Sequence, residues 1–142
     1  MMEARARALQ ALIRLRKTEV DQAKAALARM LAEEHAALGR LETRRAAIET
    51  ERRETLVGQV SSDDFRLWLP AGREAVESAE TMLHAARCAS DQAREALMQA
   101  NAALKAAEAI LDKRLEEEKE MRTRREQAEI DDLSRRGRVA AG

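Results

Sequence analysis

Residues 76–111 read VESAETMLHAARCASDQAREALMQANAALKAAEAIL, and this stretch decides the fold. One position of its seven-residue repeat carries large apolar side chains and one serine: Val76, Leu83, Ser90, Leu97, Leu104 and Leu111. The position three residues later carries only alanine: Ala79, Ala86, Ala93, Ala100 and Ala107. Leucine and alanine at two positions of a sustained heptad repeat indicate the seam of a coiled coil. Because alanine is small, we expect the partner helix to pack closely against it.

The first part of the chain predicts that partner helix. Between residues 3 and 56 there is no proline, and apolar side chains recur at steps of three and four residues. Their stripe comprises Leu9, Ile13, Val20, Ala23, Leu27, Leu31, Leu38, Leu41 and Ile48. Helices with such narrow stripes are marginal in water when isolated, so we expect the two stripes to cover each other.

The composition agrees with long helices and excludes sheet folds. Of the 142 residues, 37% are charged, 45% are apolar and 1% are aromatic, and 30 are alanine. Aromatic side chains supply much of the buried area of a compact core, and this chain has only Phe65 and Trp68. Five glycines and one proline in a chain rich in Ala, Glu, Leu and Arg are typical of long helices. A sandwich, a barrel and a doubly wound sheet are therefore excluded.

A segment of different composition separates the two stripes. Residues 57–72, VGQVSSDDFRLWLPAG, contain both aromatics, the only proline and two of the five glycines. We predict a first helix over about 3–56 and a turn and tip over about 57–72. The second helix is predicted to start near residue 62 within this tip, to be kinked at Pro70 and to continue over about 72–136. A turn this short makes the helices antiparallel. The predicted fold is all-α, with residues 1–142 forming a single antiparallel coiled-coil hairpin.

The two stripes also suggest a register for the helix pair. Matching them places Leu38 opposite Ser90 and Ile48 opposite Leu83. The same alignment leaves the end of the second helix, beyond about residue 128, without a partner, because the first helix has no residues left to face it.

Charge and cysteine content exclude several classes of protein. Lys and Arg number 26, as do Asp and Glu, so the formal net charge is zero and nucleic-acid binding is not implied. One cysteine, Cys88, rules out an internal disulfide and fits a reducing compartment. The apolar runs are far shorter than the ~20 residues of a membrane span, and the N-terminus lacks the apolar stretch of a signal peptide. We expect a soluble, cytoplasmic protein.

No motif for catalysis or cofactor binding is present. The sequence has no glycine-rich phosphate loop, no cysteine pair, no zinc-protease motif and no nucleophile elbow. His84 and Cys88 share a helix face, but two ligands are too few for a metal site. We therefore predict no enzyme activity, no cofactor and no metal.

Two regions each permit two interpretations. The cluster Phe65, Leu67, Trp68 and Leu69 either caps the tip as a small local core or contacts a partner. Residues 112–138 contain nine acidic and nine basic side chains. They form either a solvated helix with pairs of opposite charge or the open end of the hairpin, packed against another molecule.

Three segments carry a resemblance to a known family. They are residues 12–23, LIRLRKTEVDQA, residues 60–62, VSS, followed by aromatics, and above all residues 124–133, RREQAEIDDL. With them the chain resembles, over nearly its whole length, the FliJ family of flagellar export proteins and the related YscO-type proteins of virulence secretion systems.

The resemblance implies a fold similar to the gamma-subunit stalk of rotary ATPases. It implies three kinds of partner: the export ATPase hexamer, in whose central hole such proteins sit, the cytoplasmic domain of the export gate, and in some members export chaperones. The protein would be a monomer at the cytoplasmic face of the inner membrane, held there only through its partners.

The contacts expected from the resemblance fall in the two unusual regions. For the ATPase ring we expect the residues at the open end, Arg14, Arg16, Arg122, Arg125, Asp131 and Leu133. For the export gate we expect the residues in the tip half, Phe65, Leu67, Trp68, Leu69 and Val76.

Three alternatives stay open at this point. The first is a YscO-type component of a virulence secretion system. The second is a self-associating structural scaffold, which is disfavoured because the hairpin already covers its own seam. The third is a nucleic-acid-binding hairpin like the helical arm of a tRNA synthetase, which the zero net charge disfavours.

Overall fold

The computed structural model describes residues 2–141, which form two helices joined by one turn. Helix α1 spans Met2–Leu56 and has 55 residues. Helix α2 spans Ser62–Ala141 and has 80 residues. No strand occurs among the described residues, so the prediction of an all-α fold with two long helices is confirmed. Within the described chain, neither helix contains a stretch that is long and apolar enough to span a membrane.

Helix α1 ends in a Schellman motif at Gly58. The amide of Gln59 donates a hydrogen bond to the carbonyl of Glu54 at 2.8 Å, and the amide of Gly58 donates one to the carbonyl of Thr55 at 3.2 Å. This pair of bonds requires the residue just after the helix to adopt the left-handed backbone conformation. Gly58 is that residue, with a φ of 82°. Glycine adopts that conformation at little cost because it has no Cβ.

Helix α2 begins at once with an N-cap. The Oγ of Ser61 accepts a hydrogen bond from the amide of Asp64 at 3.0 Å, and the acidic side chains of the first turn favour the positive end of the helix dipole. Val60 and Phe65 occupy the two positions of a hydrophobic staple, and both are half-buried. The turn is therefore defined by hydrogen bonds on both sides.

Helix α2 continues across Pro70. Proline has no amide hydrogen, so the carbonyl of Arg66 loses its usual partner four residues later. Both residues are exposed, which leaves that carbonyl accessible to water.

The described residues divide into two compact units, each with a part of both helices. The turn unit is Val20–Gln99, and the terminal unit comprises the residues up to Glu19 and from Ala100 onward. In the turn unit the helices are antiparallel, and their core is a layer of two residues from each: Ala37, Leu41, Ala79 and Leu83. Leu38, Val76 and Ala86 pack against this layer.

The register predicted from the stripes is wrong by one to two helical turns. The hydroxyl of Ser90 donates a hydrogen bond to Glu34 at 3.3 Å instead of facing Leu38, and Leu83 packs in the layer formed with Ala37 and Leu41 instead of Ile48. The short turn sets the register, because residues at similar distances from it along the two helices must meet. Alanine-rich stripes fit several registers about equally well, so they do not identify the right one.

The terminal unit has little buried surface of its own. Ile13 on α1 and Ala107 on α2 are buried, at 8% and 4% exposure. From Met121 to Ala140 every residue of α2 is exposed. This part of α2 contains no buried side chain.

Candidate partner-binding surfaces

The two aromatic side chains of the tip pack together and against α2. The rings of Phe65 and Trp68 have centroids 6.3 Å apart and are tilted by 31°. The indole of Trp68 also covers Gly72, since a Cβ built on that glycine would lie 2.8 Å from the ring atom Cη2. Gly72 is buried although it lies in an otherwise exposed stretch. The glycine therefore makes room for the indole.

Trp68 also lines a shallow groove between the two helices of the turn unit. The groove has a volume of about 200 Å³. We call it the Trp68 groove, and its lining residues are Arg44, Ala47, Trp68, Ala71, Gly72 and Ala75. Five of them are uncharged, and the α1 residues Arg44 and Ala47 were not among the residues predicted from the sequence. Small side chains in a helix stripe could have indicated the groove, but which alanines of α1 face Trp68 depends on the register.

The other residues predicted at the tip differ in how they are placed. Leu67 is 81% exposed and is free to contact a partner. Leu69 is half-buried, and Val76 packs against the core layer. Sequence reasoning missed two further apolar side chains, Leu56 at the end of α1 and Val57 at the start of the turn, which are 81% and 70% exposed. Their exposure could have been predicted from the sequence, because both lie outside the apolar stripe of the first helix.

The residues predicted to contact an ATPase ring all lie in the terminal unit. Arg14 is exposed, whereas Arg16 is half-buried and donates to both carboxylate oxygens of Glu19, the shorter contact being 3.0 Å. Asp131 accepts a hydrogen bond from Gln127 at 3.2 Å. Leu133 is 66% exposed. None of these side chains is held in a core.

The structure brings Arg122 and Arg125 together with the start of α1. They line an open groove of about 410 Å³, which we call the terminal groove. Its lining residues are Glu3, Ala6, Glu118, Met121, Arg122 and Arg125. Two acidic and two basic side chains line it together with Ala6 and Met121, so the groove combines mixed charge with apolar surface.

His84 and Cys88 lie on one exposed face of α2. The Sγ of Cys88 is 3.7 Å from the Nε2 of His84, and both residues are exposed. Among the residues that the structure describes, no group of three or more His, Cys, Asp or Glu side chains is placed to hold a metal ion.

The model of the family described as flagellar FliJ protein matches residues 5–139, which is nearly the whole chain. The chain belongs to the FliJ family. This confirms the resemblance carried by residues 124–133 and makes the chain a flagellar export-related protein. FliJ proteins are structural components of the export apparatus. No curated protein and no solved structure matches the chain.

Proposed function

We propose that the protein is a non-enzymatic stalk and adaptor of the flagellar type III export apparatus. It binds the hexameric export ATPase and links it to the cytoplasmic domain of the export gate. It works as a monomer, without a cofactor, at the cytoplasmic face of the inner membrane, and its partners hold it there. A role in escorting export chaperones belongs to the same proposal.

The observation that carries this proposal is the exposed part of α2. All side chains from Met121 to Ala140 are exposed, and the segment extends over roughly 30 Å of helix. Met121, Arg122 and Arg125 line the terminal groove with the start of α1, and beyond Arg125 the helix offers its whole circumference to a surrounding partner. Such a segment is suited to the interior of a ring.

The ring contact is proposed for residues of the terminal unit. They are Arg14, Arg16, Arg122, Arg125, Asp131 and Leu133. Five of these six side chains are charged, and charged contacts mainly determine orientation and association rate, so binding weakens as salt is raised. Arg16 contributes least, because Glu19 already holds it.

The gate contact is proposed for the tip of the turn unit. Its residues are Phe65, Leu67, Trp68, Leu69 and Val76. Leu67 is the most exposed of these, and burying one large apolar side chain contributes roughly 1.5–3 kcal/mol. Val76 supports the surface from the core layer.

The test of the ring contact is a truncation after Glu120. The removed residues include no buried side chain of the described chain, so the turn unit keeps its helices. We expect the truncated protein to retain its melting transition and to lose both binding to the purified export ATPase and stimulation of its activity. Normal stimulation by the truncated protein would refute the assignment.

A matched pair of point variants localises the same contact. Arg125→Glu reverses a charge in the terminal groove and should weaken ATPase binding. Arg136→Glu reverses the charge of a residue that is paired with Asp132 at 3.3 Å and is no proposed contact, so it should bind nearly normally. Equal effects of the two variants would mean that only net charge matters.

Two alternatives are separated by simple measurements. A YscO-type virulence component would bind the ATPase of a virulence secretion system in preference to that of the flagellum. A structural scaffold would self-associate, and analytical ultracentrifugation would then detect dimers where the stalk proposal expects monomers.

A further inference from the structure

His84 and Cys88 carry metal-ligating atoms at a separation that suits one zinc ion. They lie four residues apart on α2, both are exposed, and the Nε2 of His84 is 3.7 Å from the Sγ of Cys88. Imidazole nitrogen and thiolate sulfur are the ligands that zinc favours in tetrahedral sites. A Zn–S distance of about 2.3 Å and a Zn–N distance of about 2.0–2.1 Å at the tetrahedral angle place the two ligand atoms about 3.6 Å apart. The two side chains are therefore already arranged as neighbouring ligands.

The chain itself supplies no third ligand at this position. The acidic side chains one turn away on either side are Glu80 and Asp91, and each forms a salt bridge: Glu80 with Arg45 at 3.1 Å, and Asp91 with Arg94 at 3.2 Å. Over the residues described by the structure, His, Cys, Asp and Glu side chains nowhere form a group of three that could hold a metal ion. Zinc sites in proteins have three or four protein ligands. The missing ligands have to come from another molecule.

We propose that His84 and Cys88 form one half of a zinc site, which the same two residues of a second copy complete. An antiparallel arrangement about a twofold axis places the histidine of each copy opposite the cysteine of the other, and the four ligands form a tetrahedron. The sequence argued against a metal because one chain offers only two ligands, and a site shared by two chains supplies four. This inference goes beyond the proposed function, whose ring and gate contacts use other residues.

Zinc coordination at the shared site balances in protons and charge. Each Cys88 thiol releases its proton to the buffer and binds as the thiolate, and each His84 binds through the lone pair of Nε2 while Nδ1 keeps its proton. Water molecules leave the zinc ion as the four protein ligands replace them. The two thiolates neutralise the double positive charge of the ion. No atom is oxidised or reduced, which distinguishes this bridge from a disulfide between two copies.

The test uses the full chain, kept reduced and freed of metal by dialysis. Without zinc we expect a monomer, as the proposed function requires. With zinc chloride added, sedimentation velocity should show a dimer, and calorimetry should give one zinc ion for every two chains. Cobalt(II) is a second probe, because a thiolate ligand gives it a near-ultraviolet absorption band and tetrahedral coordination gives it strong visible bands. We expect both kinds of band.

Two variants remove the ligands, and a third is their control. His84→Gln and Cys88→Ser each take one ligand from every chain, and both should weaken zinc binding by about a hundredfold or more, since the loss of even an outer-shell partner of a ligand costs about 10- to 100-fold. Both should also abolish the dimer. His35→Gln removes the other of the two histidines, which is exposed as well, and should bind zinc like the wild type. Circular dichroism checks that the variants keep wild-type helicity.

A fourth variant separates zinc binding from disulfide formation. Cys88→His keeps two ligands four residues apart on one helix face, a spacing that binds zinc when both residues are histidine. It has no thiol, because Cys88 is the only cysteine of the chain. We expect it to dimerise with zinc.

A zinc-dependent dimer that is lost in His84→Gln and Cys88→Ser but kept in His35→Gln and Cys88→His supports the inference. A dimer that needs no zinc and disappears with reductant is a disulfide and overturns it. One zinc ion per chain with unchanged sedimentation overturns the shared site, and so does the absence of both binding heat and cobalt bands. ATPase and gate binding are measured separately, so a failure here leaves the proposed function intact.

Discussion

The hydroxyl of Ser90 donates a hydrogen bond of 3.3 Å to the carboxylate of Glu34 on the opposite helix. Ser90 has no exposed surface, and its hydroxyl also contacts the carbonyl of Arg87 at 3.0 Å. The carbonyl of Arg87 on the same helix already satisfies the single hydrogen of this buried hydroxyl, and Glu34 is the second, longer acceptor within reach. The serine that interrupts the leucine heptads thus occupies a closely packed position of the seam.

Replacing that serine with leucine tests this interpretation. Ser90→Leu restores the heptad of α2, yet we expect it to destabilise the protein by about 1–3 kcal/mol, because the enclosed site has no space for the larger side chain. Ser90→Ala, which needs no space, should change stability by about 1 kcal/mol or less. Urea denaturation followed by circular dichroism measures both. A leucine variant that is more stable than the wild type would show that the site is open.

Gly72→Ala and Gly39→Ala should have opposite effects. Alanine is the better helix former by about 1 kcal/mol, and at Gly39 nothing lies within 4 Å of the added Cβ, so stability should rise. At Gly72 the Cβ meets the indole of Trp68, and the displacement should cost about 1–3 kcal/mol. The emission of the single tryptophan should move to longer wavelength in the second variant alone. Equal stabilisation by both substitutions would contradict the packing described for Trp68.

The contribution of the turn to stability can be tested with a second pair of glycine substitutions. Gly58→Ala forces a side chain into the left-handed region and should cost about 1–2 kcal/mol. Gly137→Ala is the control, since that glycine lies in the exposed part of α2 and has nothing within 4 Å. Thermal melts of both variants measure the difference. An unchanged melting temperature in Gly58→Ala would mean that the Schellman motif contributes nothing to stability.

Substitutions at the tip should show which side chains contribute to gate binding and which to stability. Leu67→Ser removes an exposed apolar side chain, so we expect wild-type stability together with weaker gate binding and reduced motility. Phe65→Ala with Trp68→Ala should also weaken gate binding, but it removes packing over Gly72 and should lower the melting temperature as well. Binding to the purified gate domain and denaturation are measured side by side. Normal motility of the Leu67 variant would remove this residue from the mechanism.

The fold could be predicted from the sequence because the relevant signals are local and repeated. The heptads of residues 76–111 indicate a helix seam wherever the partner lies, and Gly58 and Ser61 mark the turn through their own backbone preferences. The register could not be predicted in this way. The geometry of the short turn sets it, and alanine side chains of equal size along the stripes do not distinguish one alignment from the next.

The candidate surfaces, like the fold, could be predicted from the sequence only in part. The exposure of Leu67 and Leu133 follows from their positions off the apolar stripes. The contribution of Arg44 and Ala47 to the Trp68 groove was missed, because it requires the correct register. Trp68 stood out as an aromatic in a chain nearly free of them, but its packing on Gly72 is a contact between neighbouring turns that composition does not reveal.

The exposed stretch from Met121 to Ala140 has a consequence for how this protein can change. All its side chains are exposed, and Met121, Arg122 and Arg125 are the ones that line a groove with α1, so substitutions beyond Arg125 should leave the free energy of unfolding almost untouched. In this stretch, unlike at the tip, the residues proposed to meet a partner do not also maintain the fold. A new partner surface can arise in this stretch by successive point mutations, none of which has to be compensated by a stabilising change elsewhere.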